Sequence, residues 1–201
     1  MVDPAEDIAA LYERHAGAWD RARAAGAFEE RPWIDAFATH VPPGGAILDL
    51  GCGSGAPIAR HLVECGYRIS GVDTSVSLIE LCRSRMPSEE WIVADMRALA
   101  LGARFDAVLA WHSFFHLAPD AQRGMFPVFA RHCRPGGALM FTSGDRDGEA
   151  IGSFEGERLY HASLAPEEYE GLLTHAGFGV IIDGRAVPET GGARLWLAVR
   201  V

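Results

Sequence analysis

Ala46-Ile47-Leu48-Asp49-Leu50-Gly51-Cys52-Gly53-Ser54-Gly55-Ala56 is the stretch whose reading decides the fold. Ala46 to Leu50 is a short apolar run entered from the turn Pro42-Pro43-Gly44-Gly45, which reads as a buried strand. Glycines at 51, 53 and 55 then allow a tight turn and close approach of a ligand to the backbone. Pro57 suits the first turn of a helix that runs through Leu62 and Cys65. Strand, glycine loop and helix follow one another within about twenty residues.

Downstream the same unit repeats in coarse form. Gly66 closes the helix, Tyr67 to Val72 reads as a strand ending at Asp73, and Ser75 caps a helix carrying Leu78, Ile79, Leu81 and Cys82. Trp91 to Ala94 is a third strand ending at Asp95, and Phe105 to Ala110 a fourth. A helix from Pro119 to His132 leads through Arg134-Pro135-Gly136-Gly137 to a fifth strand, Ala138 to Thr142. After the glycine-rich stretch 143–165, a helix from Pro166 to Ala176 precedes strands at Gly179 to Ala186 and Leu195 to Val201. Strands alternating with helices predict a mostly parallel sheet covered on both faces. The link from Val187 to Arg194 is too short for a parallel crossover, so the last two strands are expected to pair antiparallel. Upstream, the spacing of Ile8, Leu11, Tyr12, Ala16 and Trp19, then Trp33, Ile34 and Phe37 after Gly26, predicts two helices between Asp3 and His40.

The chain has 201 residues, 49% of them apolar, which suffices for one full core with modest additions. Its formal charge is -9, and its 18 basic residues are all arginine, which removes lysine from any list of bases or Schiff-base formers. Acids exceed arginines by four in residues 1–45, by one in 46–145 and by four in 146–201, a balance that argues against a backbone-neutralising nucleic-acid surface. Cys52, Cys65, Cys82 and Cys133 lie too far apart in sequence for a zinc ribbon. No signal-like or membrane-spanning run is visible, and a cytoplasmic setting is the expectation.

The loop alone satisfies the loose pattern G-x-G-x-x-G/A and leaves nicotinamide, flavin and other adenosine-containing cofactors open. Two carboxylates narrow it. Asp73 follows Gly51 by 22 residues at the end of the second strand, where an acid accepts ribose hydroxyls, and Asp95 offers an acceptor at the same sheet edge. Asp49, before the loop, suits orientation of loop amides or a ligand ammonium, a role with less purpose beside a pyrophosphate.

In order, these motifs resemble those of the class I S-adenosylmethionine-dependent methyltransferases. LDLGCGSG (48–55) is similar to the family's first motif, GVD ending at Asp73 to its ribose-binding region, and ADM (94–96) to its adenine-side motif. FDAVLAWHSFFHL (105–117) resembles the fourth-strand motif and RPGGALMF (134–141) the turn into strand five. The resemblance implies a Rossmann-like α/β fold, a three-layer αβα sandwich around a seven-stranded, mostly parallel sheet ordered 3-2-1-4-5-7-6 with strand 7 antiparallel. It makes residues 1–201 a single methyltransferase domain, with 1–45 as a helical cap and 143–165 as a loop covering the substrate. It implies S-adenosylmethionine as cofactor and S-adenosylhomocysteine as product. Gly51, Gly53 and Gly55 would surround the methionyl part, Asp73 would bind the ribose and Asp95 with the Met96 amide the adenine, with Asp49, Cys52 and Thr74 as further candidates for cofactor contact. Trp111 would line the pocket, with Tyr12 and Trp19 closing over it, although both also suit plain packing of the first helix. AWHSFF lacks the Asn/Asp-Pro-Pro-aromatic tetrad of members that act on nucleobase or glutamine nitrogens.

Transfer from a sulfonium needs alignment and exclusion of water, and a base only if the acceptor arrives protonated. His112, His116 and His161 are the candidates for that base. HSFFH lacks the glutamate of H-E-x-x-H, so no metal is expected. Phe115, Tyr160 and Arg146 are candidates for substrate contact, Arg146 toward a carboxylate. The expected partner is a small-molecule methyl acceptor with N, O or S open, acted on by a monomer or homodimer without nucleic acid or membrane. A cofactor-binding interaction module without catalysis and a nicotinamide-dependent oxidoreductase are the alternatives.

Overall fold

The computed structural model describes residues 4–184 and 191–201. Among them β1 (Ala46–Leu50), β2 (Arg68–Asp73), β3 (Glu90–Val93), β4 (Phe105–Ala110), β5 (Cys133–Ser143), β8 (Phe178–Gly184) and β9 (Arg194–Arg200) form one sheet in the order β3-β2-β1-β4-β5-β9-β8. Counted along the chain within this sheet alone, that order is 3-2-1-4-5-7-6. β9 is antiparallel to both its neighbours, as the short link between the last two strands predicts, although residues 185–190 of that link lie outside the described part.

β1 occupies the centre because both its faces are apolar. Ile47 points to one layer and Leu48 to the other, as the two-residue period of a strand requires, and both are fully buried. On the first face α3 (Arg31–Ala38), α4 (Ile58–Glu64) and α5 (Val76–Arg85) bring Ile34, Phe37, Leu62 and Ile79 onto Ile47, Leu109 and Met140. On the second, α6 (Pro119–His132) and α7 (Pro166–His175) bring Phe126, Phe129 and Tyr169 onto Phe141 and Trp196. The Phe141 and Trp196 rings stack at 5.9 Å, and Trp196 Nε1 donates to Ser143 Oγ at 2.9 Å, so that indole is both buried and satisfied.

Three features depart from the sequence reading. The N-terminal region forms three helices, α1 (Pro4–Arg14), α2 (Ala16–Ala25) and α3, because the chain breaks at His15 with neither glycine nor proline to announce it. β5 starts at Cys133 and carries Arg134-Pro135-Gly136-Gly137 as an irregularity in its pairing with β4, between the partners Phe105/Cys133 and Ala107/Ala138. Residues 143–165, expected to be a loop, contain the hairpin β6 (Gly148–Phe154) and β7 (Glu157–Ser163), turned at Glu155 and Gly156, both with positive φ.

Candidate functional site

Everything singled out around the glycine loop meets at the carboxyl edge of the sheet, where open α/β sheets hold their ligands. Gly51 and Cys52 donate their amides to Val72 O at 2.7 and 3.1 Å, and Gly55 N–H closes the turn onto Cys52 O at 3.0 Å. The three glycines have positive φ for different purposes. A Cβ on Gly51 would meet Ser113 Cβ at 2.2 Å, and one on Gly53 would meet Trp19 Nε1 at 3.1 Å. On Gly55 it would press on Met86 Cε at 2.7 Å, so this residue also gives the loop room to pack against the core.

Two adjoining cavities open here. The larger, about 260 Å³, takes Tyr12, Trp19, Gly51, Gly53, Asp73, Thr74, Asp95 and Met96 in its wall. The smaller, about 60 Å³, takes Asp49, Cys52, Gly55 and Trp111. Trp19, Gly51, Gly53 and His112 belong to both. All twelve residues expected around a cofactor are thus brought to one continuous recess. Ser113 and Arg97 also line the larger cavity and were not singled out from sequence. Ser113 Oγ donates to Leu50 O at 2.6 Å, which fixes the chain after β4 against the glycine loop. No periodicity or motif marks such a contact.

Asp73 is held rigidly. Its Oδ2 accepts from Gly53 N–H and its Oδ1 from Ser75 N–H, each at 2.9 Å. Burial nevertheless raises its pKa, the amide donors opposing that shift. Asp49 is also buried, and burial followed by the nearby Asp73 charge pushes it up to about 7. The recess therefore contains two carboxylates short of positive partners, an arrangement suited to a cationic ligand group. Asp95 differs: it is more open, caps the short 3₁₀ turn Met96–Ala98, and pairs with Arg97 at 2.6 Å.

α1 roofs the recess. Glu13 accepts from Ser75 Oγ at 2.5 Å and from Ser77 N–H and Oγ at 3.1 and 2.7 Å, while Arg14 and His15 both reach Glu157 on β7 at 2.5 Å. Tyr12 meets Trp19 edge-on at 5.3 Å, and Phe154 of β6 lies against both rings.

His116 is placed where sequence expected a base, but its surroundings assign it another task. It is 6% exposed; its Nδ1 donates to Tyr160 O at 2.7 Å, which leaves Nε2 to accept from Tyr12 OH at 2.9 Å. Burial pushes its pKa down to about 4, so the imidazole is neutral with both nitrogens engaged by protein. It joins α1 to β7 rather than presenting a free lone pair. Tyr160, expected to touch substrate, is itself buried and contributes its carbonyl to this junction. Tyr12→Phe leaves Nε2 buried without its donor, a cost of about 1–2 kcal/mol, which calorimetric melting should read as a drop in Tm of roughly 2–8 °C. Because the folded pKa lies below the free value of 6.5, the unfolded chain takes up the proton first. His116 therefore subtracts stability as pH falls from about 6.5 toward about 4.

His112 and His161 take different positions. His112 adopts a positive φ of 49°, its amide donates to Thr142 Oγ1, and its ring stacks on Trp111 at 5.2 Å. It faces the recess and also a second, more open cavity of about 610 Å³ that contains Phe115, Arg146 and His161. Among the described residues no cluster of three His, Cys, Asp or Glu side chains is placed to hold a metal ion, and no helix is long and apolar enough to cross a membrane.

Residues 47–137 match the model of the methyltransferase domain. The chain is 37% identical over 122 residues to a trans-aconitate 2-methyltransferase of Azoarcus sp. (strain BH72), an alignment covering 60% of this chain and 44% of that protein. It is 33% identical over 103 residues to dTDP-3-amino-3,6-dideoxy-alpha-D-glucopyranose N,N-dimethyltransferase of Streptomyces fradiae, covering 50% and 40%. The chain thus spans less than half the length of these relatives. Its fold is similar to that of the Burkholderia thailandensis 1,6-didemethyltoxoflavin-N1-methyltransferase, solved with its acceptor and S-adenosylhomocysteine. The TM-score is 0.75 at 20% identity, over 100% of this chain and 92% of that one.

Proposed function

We propose that this chain, which belongs to the class I S-adenosylmethionine-dependent methyltransferase family, catalyses methyl transfer from S-adenosylmethionine to a nitrogen, oxygen or sulfur atom of a small-molecule acceptor. The observation that carries the reading is the convergence of Asp49, Asp73 and Asp95, from the ends of three adjacent strands, on one recess floored by Gly51 and Gly53. The donor set fits the cofactor. Asp73 has lone pairs left for ribose hydroxyls after accepting two amides, Asp95 and the Met96 backbone suit an adenine edge, and the under-compensated Asp49 suits the methionyl ammonium.

When bound, the cofactor supplies a methyl group already activated on a sulfonium. The protein then has to align an acceptor and keep water out. Tyr12 of α1 and Trp19 of α2 close the recess, and their ring faces favour a neighbouring cation. His112 stands between the recess and the second cavity, beside the position where donor and acceptor would meet. The named acceptors of the three similar proteins are all small molecules, which supports the same class here. The reading extends to a cytoplasmic monomer or homodimer without a nucleic-acid partner, the last of these supported by the charge of -9.

Calorimetry with S-adenosylmethionine, S-adenosylhomocysteine and NAD tests the proposal. Binding of the two sulfur compounds is expected, and binding of NAD alone would overturn it. Asp49 adds a second readout. Below about 7 the ligand-free protein holds a proton on the Asp49/Asp73 pair, and an ammonium beside it favours the carboxylate. S-adenosylhomocysteine affinity should therefore rise as pH increases through about 7 and then level off. Protons released at pH 6 should make the binding enthalpy depend on the buffer, and Asp49→Asn should flatten both effects.

A further inference from the structure

The second cavity opens on the far side of His112 from the cofactor recess, and its wall has a consistent chemistry. One side is aromatic: the Phe115 ring lies 5.6 Å from that of His112 and 5.3 Å from that of His161. The other side is the segment Asp145-Arg146-Asp147-Gly148-Glu149 leading into β6. Asp145 is answered by Arg194 at 3.0 Å, an arginine also paired with Asp183, so this charge is spent within the protein. Among the described residues Arg146 is the only arginine beside Asp147 and Glu149 in this wall, which on that count is acidic on balance. Ring faces and carboxylates both favour a cation, by quadrupole and by charge respectively. Arg146, expected from sequence to receive a carboxylate, is outnumbered where it stands.

Resting on the methyltransferase reading above, we infer that this cavity is the acceptor site and that it takes a small molecule bearing a protonated primary amine. Asp147 and Glu149 draw the ammonium in, and His112, Phe115 and His161 seat it. Before transfer the ammonium gives up one proton to the His161 imidazole. Burial lowers the pKa of the His161 ring, so that it starts neutral and takes the proton on a ring nitrogen. The freed nitrogen pair then forms the N–C bond as the C–S bond breaks, with that bond's electrons remaining on sulfur. The products are a methylated ammonium and a neutral thioether. A carboxylate acceptor of the trans-aconitate kind, by contrast, meets like charge along this wall.

The test uses the full chain saturated with S-adenosylhomocysteine, titrated calorimetrically with benzylamine, benzyl alcohol and benzoate, three probes of similar shape and different charge. Benzylamine is expected to bind at least about tenfold more tightly than either of the others, a preference that Asp147→Asn/Glu149→Gln reduces to within about twofold. The double variant should retain unchanged affinity for S-adenosylhomocysteine. Equal or tighter binding of benzoate, a preference that survives the double variant, or no binding by any probe overturns the amine assignment. Failure of the wild-type chain to bind S-adenosylhomocysteine at the first step overturns the cofactor reading instead, so the two failures are distinct.

Discussion

Asp73→Asn should lower the affinity for S-adenosylhomocysteine by about 10²–10³-fold, a loss of about 3–4 kcal/mol. The substitution keeps the shape of the side chain and changes its hydrogen bonding. Asp73 now accepts Gly53 N–H on one oxygen and Ser75 N–H on the other, so whichever way an amide is turned, its NH₂ group faces a backbone donor. Gly53, part of the recess floor, loses its anchor or Ser75 does, and Ser75 also caps α5 by accepting Leu78 N–H at 3.2 Å. On the proposed reading the same change also removes a charged acceptor for the ribose hydroxyls, and hydrogen bonds to an ionised group are about twice as strong as neutral ones. The carboxylate's own burial is costly, so global stability should fall much less than affinity. Calorimetric binding beside a melting curve separates the two. A variant that binds within threefold of the wild type would remove Asp73 from the ribose site.

Gly51→Val should abolish methyl transfer, with at least a 10³-fold loss of kcat/KM that corresponds to about 4 kcal/mol or more. At φ +75° a β-branched side chain is strained in any surroundings, and here its Cβ falls 2.2 Å from Ser113 Cβ. Ser113 has little room to retreat because its hydroxyl is bonded to Leu50 O. Relief must come from moving the glycine loop away from the β4 end, which opens the seam between the two parts of the recess. Gly51→Ala places the same Cβ with less bulk and should give an intermediate loss. Circular dichroism and the melting curve report whether the sheet survives. Activity near wild type in Gly51→Val would show that the loop and the segment after β4 need not stay in contact.

Most of the sheet was legible in sequence, for a physical reason. Strands of a parallel sheet are buried on both faces and advertise themselves as unbroken apolar runs such as Ala46 to Leu50 and Phe105 to Ala110, punctuated by residues that tolerate positive φ. The acids of the site were legible because strand ends are legible. The hairpin within 143–165 was not: β6 is exposed along nearly its whole length, so no alternation of apolar and polar residues betrays it. Its turn is Glu155-Gly156 rather than the Asn-Gly or Asp-Gly that would signal it. The break at His15 lacked a marker as well, since the apolar spacing continues across it. His116 illustrates a deeper limit. Sequence offered it beside His112 and His161 as a candidate base, whereas its surroundings follow from which backbone carbonyl and which phenol it meets, 44 and 104 residues away in the chain.

The helix that roofs the recess has its two flanks fastened to different bodies, Glu13 to the start of α5 and Arg14 with His15 to Glu157 on the hairpin. On the hairpin side the Glu157 pairs lie near the surface, where salt screens them, while the Tyr12–His116 bond and the Phe154 ring hold the same side without formal charge. Raising the ionic strength is therefore expected to weaken the Glu157 pairs, while the buried Tyr12–His116 contact keeps α1 on the hairpin.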